Sequence, residues 1–383
     1  MRSIKDYILE KSGMMLSERD KKKLLTLDKK FWEIAVIYHK CKNRYVTNID
    51  EEFEKFIKAY NKGEKYYPIL EYKGEICYKE KHVIEKINTL TREFMNFNCF
   101  LSKYYLEILS AYKLMILGCI DPIKNYQNFN IVRLQKPSQD MYRLALETIK
   151  ENPYEEIDKS KRNIKAEQAK KEIEDYLDEL DWDWDVNIDN NMIPRMAVGA
   201  EKMNINANGT FSDIDIEGLK AHEVKGHVGR RYYAHKTGLY LMLEGLLGRN
   251  TLDEGLAVWN SLNLVKKKKP NILFNIALKT VIAFNLDTHD FVELFKICKD
   301  LAPNLADKII FKNIIRYKRE LKYCKLPGGN GDDMSYFCGY MIVKDMNDKE
   351  RDDILKYNIG PEQIKDLPKI KRFFELNKFE SLI

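Results

Sequence analysis

Two of the chain's six histidines lie in one short segment, LKAHEVKGHVGRRYY, where Glu223 directly follows His222 and His227 comes four positions after that acid. Zinc is held by neutral imidazole nitrogens and carboxylate oxygens, and a catalytic zinc keeps three protein ligands plus one position open to water. His222 and His227 are therefore candidate metal ligands. Glu223 is placed to take a proton from a metal-activated water and pass it to a leaving amine, as the glutamate of HExxH hydrolases does. The spacing is HExxxH, one residue longer than that motif. An α-helix advances about 100° per residue, so a separation of five leaves two side chains about 140° apart. The two histidines can share an ion only where the helix widens. Gly226 offers a flexible point, and we expect a π-bulge there. An unbroken α-helix from Leu219 to Tyr232 would exclude a shared ion.

A third ligand must come from elsewhere. Glu244 in LMLEGLLG and Glu254 in TLDEGLAVW both precede a glycine, and Asp253 is a further carboxylate. Spacing divides the choice between Glu244 and Glu254, with Asp253 behind them. His235 stands eight residues beyond His227 rather than the six of the HExxHxxGxxH pattern and reads as an ordinary surface or core histidine.

The elements that must position these groups are mostly helical. Apolar residues recur at helical spacing from Met1 to about Tyr60, as in FWEIAVIYHK. A short extended passage, YYPILEYKGEICY, precedes renewed helical periodicity through LTREFMNFNCFLSKYYLEILSAYKLMIL, and a charged helix spans about Asn163 to Leu180. Two alternating runs, Met196 to Val198 and Met203 to Asn206, predict strands of a small sheet just ahead of the histidines. Helices follow Ser212 until the turn LPGGNGDD. We expect an α+β, predominantly helical fold with a small mixed or antiparallel sheet beside the metal-binding helix. The run KKKK at 266–269 reads as the solvated end of a helix.

Composition narrows the function classes. Of 383 residues 44% are hydrophobic, enough for one large domain or two intimate ones, so disorder is excluded as the default state. Sixty-five Lys and Arg against 59 Asp and Glu leave a net charge of +6, too small for a nucleic-acid footprint. Seven cysteines, odd in number and without a CxxC pair, read as reduced thiols. The charged N-terminus lacks the apolar run of a signal peptide, and Glu107 and Lys113 break the most apolar stretch before it reaches membrane-spanning length. A cytoplasmic location is the expectation; the oligomeric state is not legible.

HEVKGHVGR at His222 to Arg230 and TLDEGLA at Thr251 to Ala257 resemble the paired signatures HE[IV]GTHxxR and TEEGLA of the QEGLA-motif family. That zinc metallopeptidase family includes the eukaryotic microtubule-associated tyrosine carboxypeptidase. The resemblance runs from about Tyr66 to Lys371, through LQKPSQDMYRLAL and DDMSYFCGY, and leaves the N-terminal helices outside. It divides the chain into a helical region at 1–65, a zincin-like metallopeptidase domain at 66–371 and a tail at 372–383. It implies one zinc per chain held by His222, His227 and Glu254, with Glu223 as general base, and so decides between Glu254 and Glu244. Tyr336 matches a tyrosine of the family's late YxxG motif and is the candidate donor to the oxyanion. Arg230 matches the motif arginine, and Arg316 and Arg319 fall in a similar IRYKRE stretch; all three are candidates for binding a substrate's C-terminal carboxylate. The sequence departs from the family at Lys225, where the family has its glycine, and at Leu252 and Asp253. Lys225 reads as a solvent-pointing helix lysine.

The expected activity is that of a zinc carboxypeptidase acting on a peptide or protein C-terminus. An edge strand in MAVGAEKMNINAN would suit main-chain pairing with an extended substrate. A zinc hydrolase for a small amide or modified peptide in a biosynthetic pathway, and a catalytically silent binding protein of the same fold, are the two rival readings.

Overall fold

The computed structural model describes residues 12–42, 45–73, 81–120, 137–156, 162–190, 195–265, 270–318 and 324–382. It divides into two compact units, one built from residues 1–154 and 273–337, the other from 155–272 and 338–383. The described chain is α+β and predominantly helical, with one three-stranded sheet and two short strand pairs. No described helix is long and apolar enough to cross a membrane. The lysine run at 266–269 and the cysteine at 77 lie outside what can be described, as do the side chains of Cys41 and Cys119. Cys99, Cys298, Cys324 and Cys338 are free and buried, and burial pushes each thiol up to about 12, which makes them packing groups.

The first unit begins with the helix Glu18–Lys42, which buries Leu24, Leu27, Phe31, Ile34, Ala35 and Tyr38 at the three- and four-residue steps of one helical face. The stretch of renewed helical periodicity forms two helices, Lys81–Met95 and Ser102–Ile120. Asn96 ends the first by donating from its side chain to the Arg92 carbonyl at 2.9 Å. The second restarts at Ser102, whose hydroxyl donates to the Phe97 carbonyl at 3.0 Å. Asparagine and serine offer the backbone an alternative to the helical ladder, and here that local chemistry outweighs apolar periodicity. The YYPILEY passage is anchored on buried Glu52, which accepts from the Tyr66 hydroxyl and the Ile69 amide, both at 2.8 Å. The LPGGNGDD turn is tied to the Asp307–Lys318 helix: the Asn330 amide donates to the Tyr317 carbonyl at 2.6 Å, and Lys318 donates to the carbonyls of Leu326 and Gly328. Burial pushes that lysine down to about 8.

The second unit carries the sheet. Lys202–Asn206 is its central strand, parallel to Asp185–Asp189 on one side and antiparallel to Met196–Val198 on the other. The two strands expected from alternation form a hairpin closed at Gly199, whose amide donates to the Lys202 carbonyl at 2.7 Å. The parallel strand Asp185–Asp189 was not expected. Its alternation is masked by the acids of DWDWDVNID, and its pairing depends on a segment distant in sequence. The Ala166–Glu179 helix presents Ala169, Ile173 and Leu177 to a core shared with Val186, Met203 and Ile205. Ser212 then opens the next helix with a reciprocal capping box to Asp215, so the chain enters the histidine segment from a firmly started helix.

Small residues set how closely the elements of this unit approach. A Cβ placed on Gly255 would lie 2.2 Å from the Gly339 carbonyl carbon, and one on Gly339 would lie 1.7 Å from the Thr251 carbonyl oxygen. Neither backbone can yield locally. We expect Gly339→Ala to cost about 3 kcal/mol, the upper end of overpacking penalties, read as a lower urea midpoint at unchanged slope. A loss below about 0.5 kcal/mol would mean that the crossing is looser than its geometry.

Candidate metal centre

His222 and His227 lie within a π-helix spanning Lys220–Val228. With hydrogen bonds from each residue to the one five along, a step of five returns the chain to nearly one face, which α-helical geometry denies to HExxxH. The widening is longer than the single bulge expected from the sequence and covers nine residues. Gly226 serves it by closeness more than by flexibility. A Cβ there would sit 2.9 Å from the Ala257 Cβ on the Arg249–Asn263 helix, so the glycine lets the two helices touch.

That contact brings the second motif to the first. One donor atom each from His222, His227 and Glu254 lies within 4.8 Å of the others, the only such group of His, Cys, Asp or Glu among the described residues. Glu254 Oε2 stands 3.8 Å from His222 Nε2 and 3.6 Å from His227 Nε2. Donors 2.0 to 2.2 Å from a tetrahedral zinc are separated by about 3.3 to 3.6 Å, so Glu254 stands close to ligand–ligand distance from both rings. Glu244, the alternative acid, is buried at the end of the Tyr240–Glu244 helix and is not a member of the group.

The rings are aimed from behind. His222 Nδ1 lies 3.2 Å from the Ser261 hydroxyl, and His227 Nδ1 lies 2.9 Å from Asp253 Oδ1. With both Nδ1 atoms engaged, both Nε2 atoms turn toward Glu254. Glu254 Oε2 is buried and has no hydrogen-bond partner. A buried carboxylate oxygen left in that state calls for a cation, and two imidazoles with one carboxylate are a zinc donor set. Burial lowers the pKa of His222 and favours the neutral ring that ligation needs. Burial acts the same way on His227, but Asp253 and Glu254 outweigh it and hold the ring well above its ordinary value. A metal ion and that proton answer the same carboxylates and exclude each other.

Asp253, weighed in the sequence as a ligand, is placed as the hydrogen-bond partner of His227, a candidate ligand. Burial opposes its charge, yet His227, Arg230 and Arg249 together hold it well below the usual carboxylate range. Arg230, expected among the groups that bind a substrate carboxylate, is 1% exposed. Its guanidinium lies 3.4 Å from Asp253 and donates to Asn358 at 3.2 Å, so it supports the Asp253–His227 pair from inside the unit. Partners of this kind fix ring orientation and contribute 10- to 100-fold to metal affinity. We expect Asp253→Asn to weaken zinc binding by about that factor in competition with a chromogenic chelator. Unchanged affinity would remove Asp253 from the centre.

The remaining candidates fall elsewhere. Tyr336 and Arg316 belong to the first unit. There Arg316 makes a forked pair with Asp333 at 2.6 and 2.9 Å, and Lys279 lies over the Tyr336 ring at 4.1 Å. Arg319 lies outside the described residues. His235 is a core histidine, its Nε2 2.9 Å from the Ala200 carbonyl and its ring edge-on to Trp184. The orienting roles of Asp253 and Ser261 were missed; the signal available was their position one helical turn or less from Glu254 or Ala257, which spacing alone does not separate from packing.

A family profile described as microtubule-associated tyrosine carboxypeptidase matches residues 131–379, well over half the chain. The match includes every group of the centre and leaves YYPILEY outside. No match was found among curated proteins.

Proposed function

The chain belongs to the microtubule-associated tyrosine carboxypeptidase family, and from that membership we propose that it is a zinc-dependent peptidase releasing residues from peptide or protein C-termini. The observation that carries the reading is the meeting of His222, His227 and Glu254 around an unsatisfied buried carboxylate oxygen. Those three residues would hold the ion. When bound, zinc supplies Lewis acidity toward a water and toward the carbonyl to be attacked. Glu223, on the same π-helix, takes the proton of that water on its carboxylate and delivers it to the departing amine nitrogen. Asp253 and Ser261 keep the two imidazoles in one tautomer and one orientation throughout.

The strand Met196–Val198 is an edge of the sheet among the described residues and packs against the π-helix. An extended substrate would pair with it through main-chain hydrogen bonds, in the manner of zincin-like enzymes. Tyr336 as donor to the oxyanion and Arg319 as a carboxylate binder are carried from the family resemblance alone, whereas Arg316 spends its fork on Asp333. The partner implied is a free C-terminus, and the tyrosine or microtubule of the family's name is not required by any group in the centre.

Metal analysis of the purified protein followed by a panel of C-terminal peptides tests this directly. One zinc per chain and stepwise loss of the terminal residue, abolished by a chelator and restored by zinc, is the expected result. Absence of zinc would leave a binding protein, and zinc without peptide cleavage would leave a hydrolase of small amides.

A further inference from the structure

The helix pair that carries the metal ligands has a second concave surface. Leu180, Trp182, Lys225, Leu256, Trp259 and Leu355 line a cleft of about 350 Å³ within the second unit. That volume lies near the lower end of ligand pockets, roughly 300 to 1,000 Å³. Periodicity places the cleft across the helices from the metal donors. On the Arg249–Asn263 helix, Trp259 and Leu256 stand about 140° and 160° round from Glu254. On the π-helix, Lys225 falls roughly 160° from His227 at the wider turn.

The walls are built. Arg351 stacks on Trp259 with its guanidinium carbon 4.1 Å from the ring centroid. Arg351 is held in turn by Asp348 at 2.7 Å and by the carbonyls of Val343 and Met346. Trp182 lies directly over Gly229, where a Cβ would come within 2.6 Å of the indole. The charges of the lining cancel in pairs, Asp348 with Arg351 and Asp352 with Lys356 at 2.6 Å. Lys225 is the exception. It is half-buried, and among the described residues it has no hydrogen-bond or ion-pair partner. The sequence leads one to expect a lysine that points into solvent, whereas this one lines a cleft with two indoles and four leucines.

We propose that this cleft binds a small amphipathic monoanion, a carboxylate on an aliphatic or aromatic body, with the Lys225 ammonium pairing the carboxylate and the indoles and leucines covering the body. One unpaired positive charge beside an apolar wall favours one negative charge on an apolar ligand, because the charge pairs while the body is covered. A ligand so seated rests on the same two helices that bear His222, His227 and Glu254. The inference concerns binding and stands apart from the zinc reading.

Decanoate is the probe, titrated into the full-length protein and followed by tryptophan fluorescence and calorimetry, with decan-1-ol as the uncharged control. Saturable binding of one decanoate is expected, at least tenfold tighter than decan-1-ol. Lys225→Met should weaken decanoate at least tenfold without changing the far-ultraviolet spectrum or thermal midpoint, and Lys225→Glu should abolish it and gain binding of decyltrimethylammonium. No saturable binding to the native protein, or equal binding of acid and alcohol, overturns the proposal with no variant needed. Equal decanoate binding by the native protein and Lys225→Met also overturns it, and would place the acid on the metal or on an unspecific apolar surface.

Discussion

Glu254→Gln is expected to leave purification with less than a tenth of the native zinc and to lose about a thousandfold in kcat/KM, some 4 kcal/mol of transition-state stabilisation. The change keeps the shape of the side chain and removes one anionic donor of three. What remains is two imidazoles whose Nε2 atoms face an amide, and a neutral amide oxygen is a poor zinc ligand beside a carboxylate. The metal-free protein should tolerate the replacement, because Glu254 Oε2 makes no hydrogen bond that the amide would break and His227 keeps Asp253 as its counter-charge. The pairing of a large loss in metal with a shift of no more than about 1 kcal/mol in apoprotein stability identifies a ligand. Native zinc content with native turnover would overturn the assignment, and a collapse of apoprotein stability would mean that Glu254 holds the two helices together instead.

Glu223→Gln separates the base from the ligands. Zinc content should stay at the native value, since His222, His227 and Glu254 are untouched, while kcat falls by about 10² to 10⁴ as general-base assistance is lost. Metal stoichiometry and turnover measured on one preparation make the comparison. Retained turnover would remove Glu223 from proton transfer, and loss of zinc would move it into the donor set. Read together, the two variants should give opposite patterns, because the proposal makes one group a ligand and the other a base.

The π-helix shows how far local reasoning reaches. Five residues between two ligands on one helix is a statement about angle, and angle alone requires a widened turn. The structure supplies it over Lys220–Val228. The same reasoning gives the wrong emphasis at Gly226, because the pressure on that glycine comes from Ala257, a residue of another helix. Gly255 is alike: in the sequence it is one letter of a motif, and in the fold it is the place where Gly339 backs onto the helix. Close approach between backbones leaves no trace in the periodicity of either partner.

Asp253 and Arg230 carry the same lesson in charge. Read in sequence, an aspartate beside a ligand glutamate is a rival ligand and an arginine behind a ligand histidine is a hand for substrate. Folded, they are one buried pair steadying His227. Lys225 reverses the direction: a residue that reads as solvated stands against tryptophans.

Legible from the amino-acid order alone were the candidate donor set, the need for a distorted helix, the hairpin ahead of it and a predominantly helical α+β chain. Each follows from residue type or from spacing within one element, where backbone geometry is nearly fixed. Spacing left Glu244 and Glu254 open and the family resemblance chose Glu254; folding brings Glu254 to the histidines and sets Asp253 and Ser261 behind the rings. Only the tertiary structure decided that Asp185–Asp189 lies parallel in the sheet and that Lys225 lines a cleft. Those outcomes depend on which faces of separate elements meet, and that is set by packing between residues far apart in the chain.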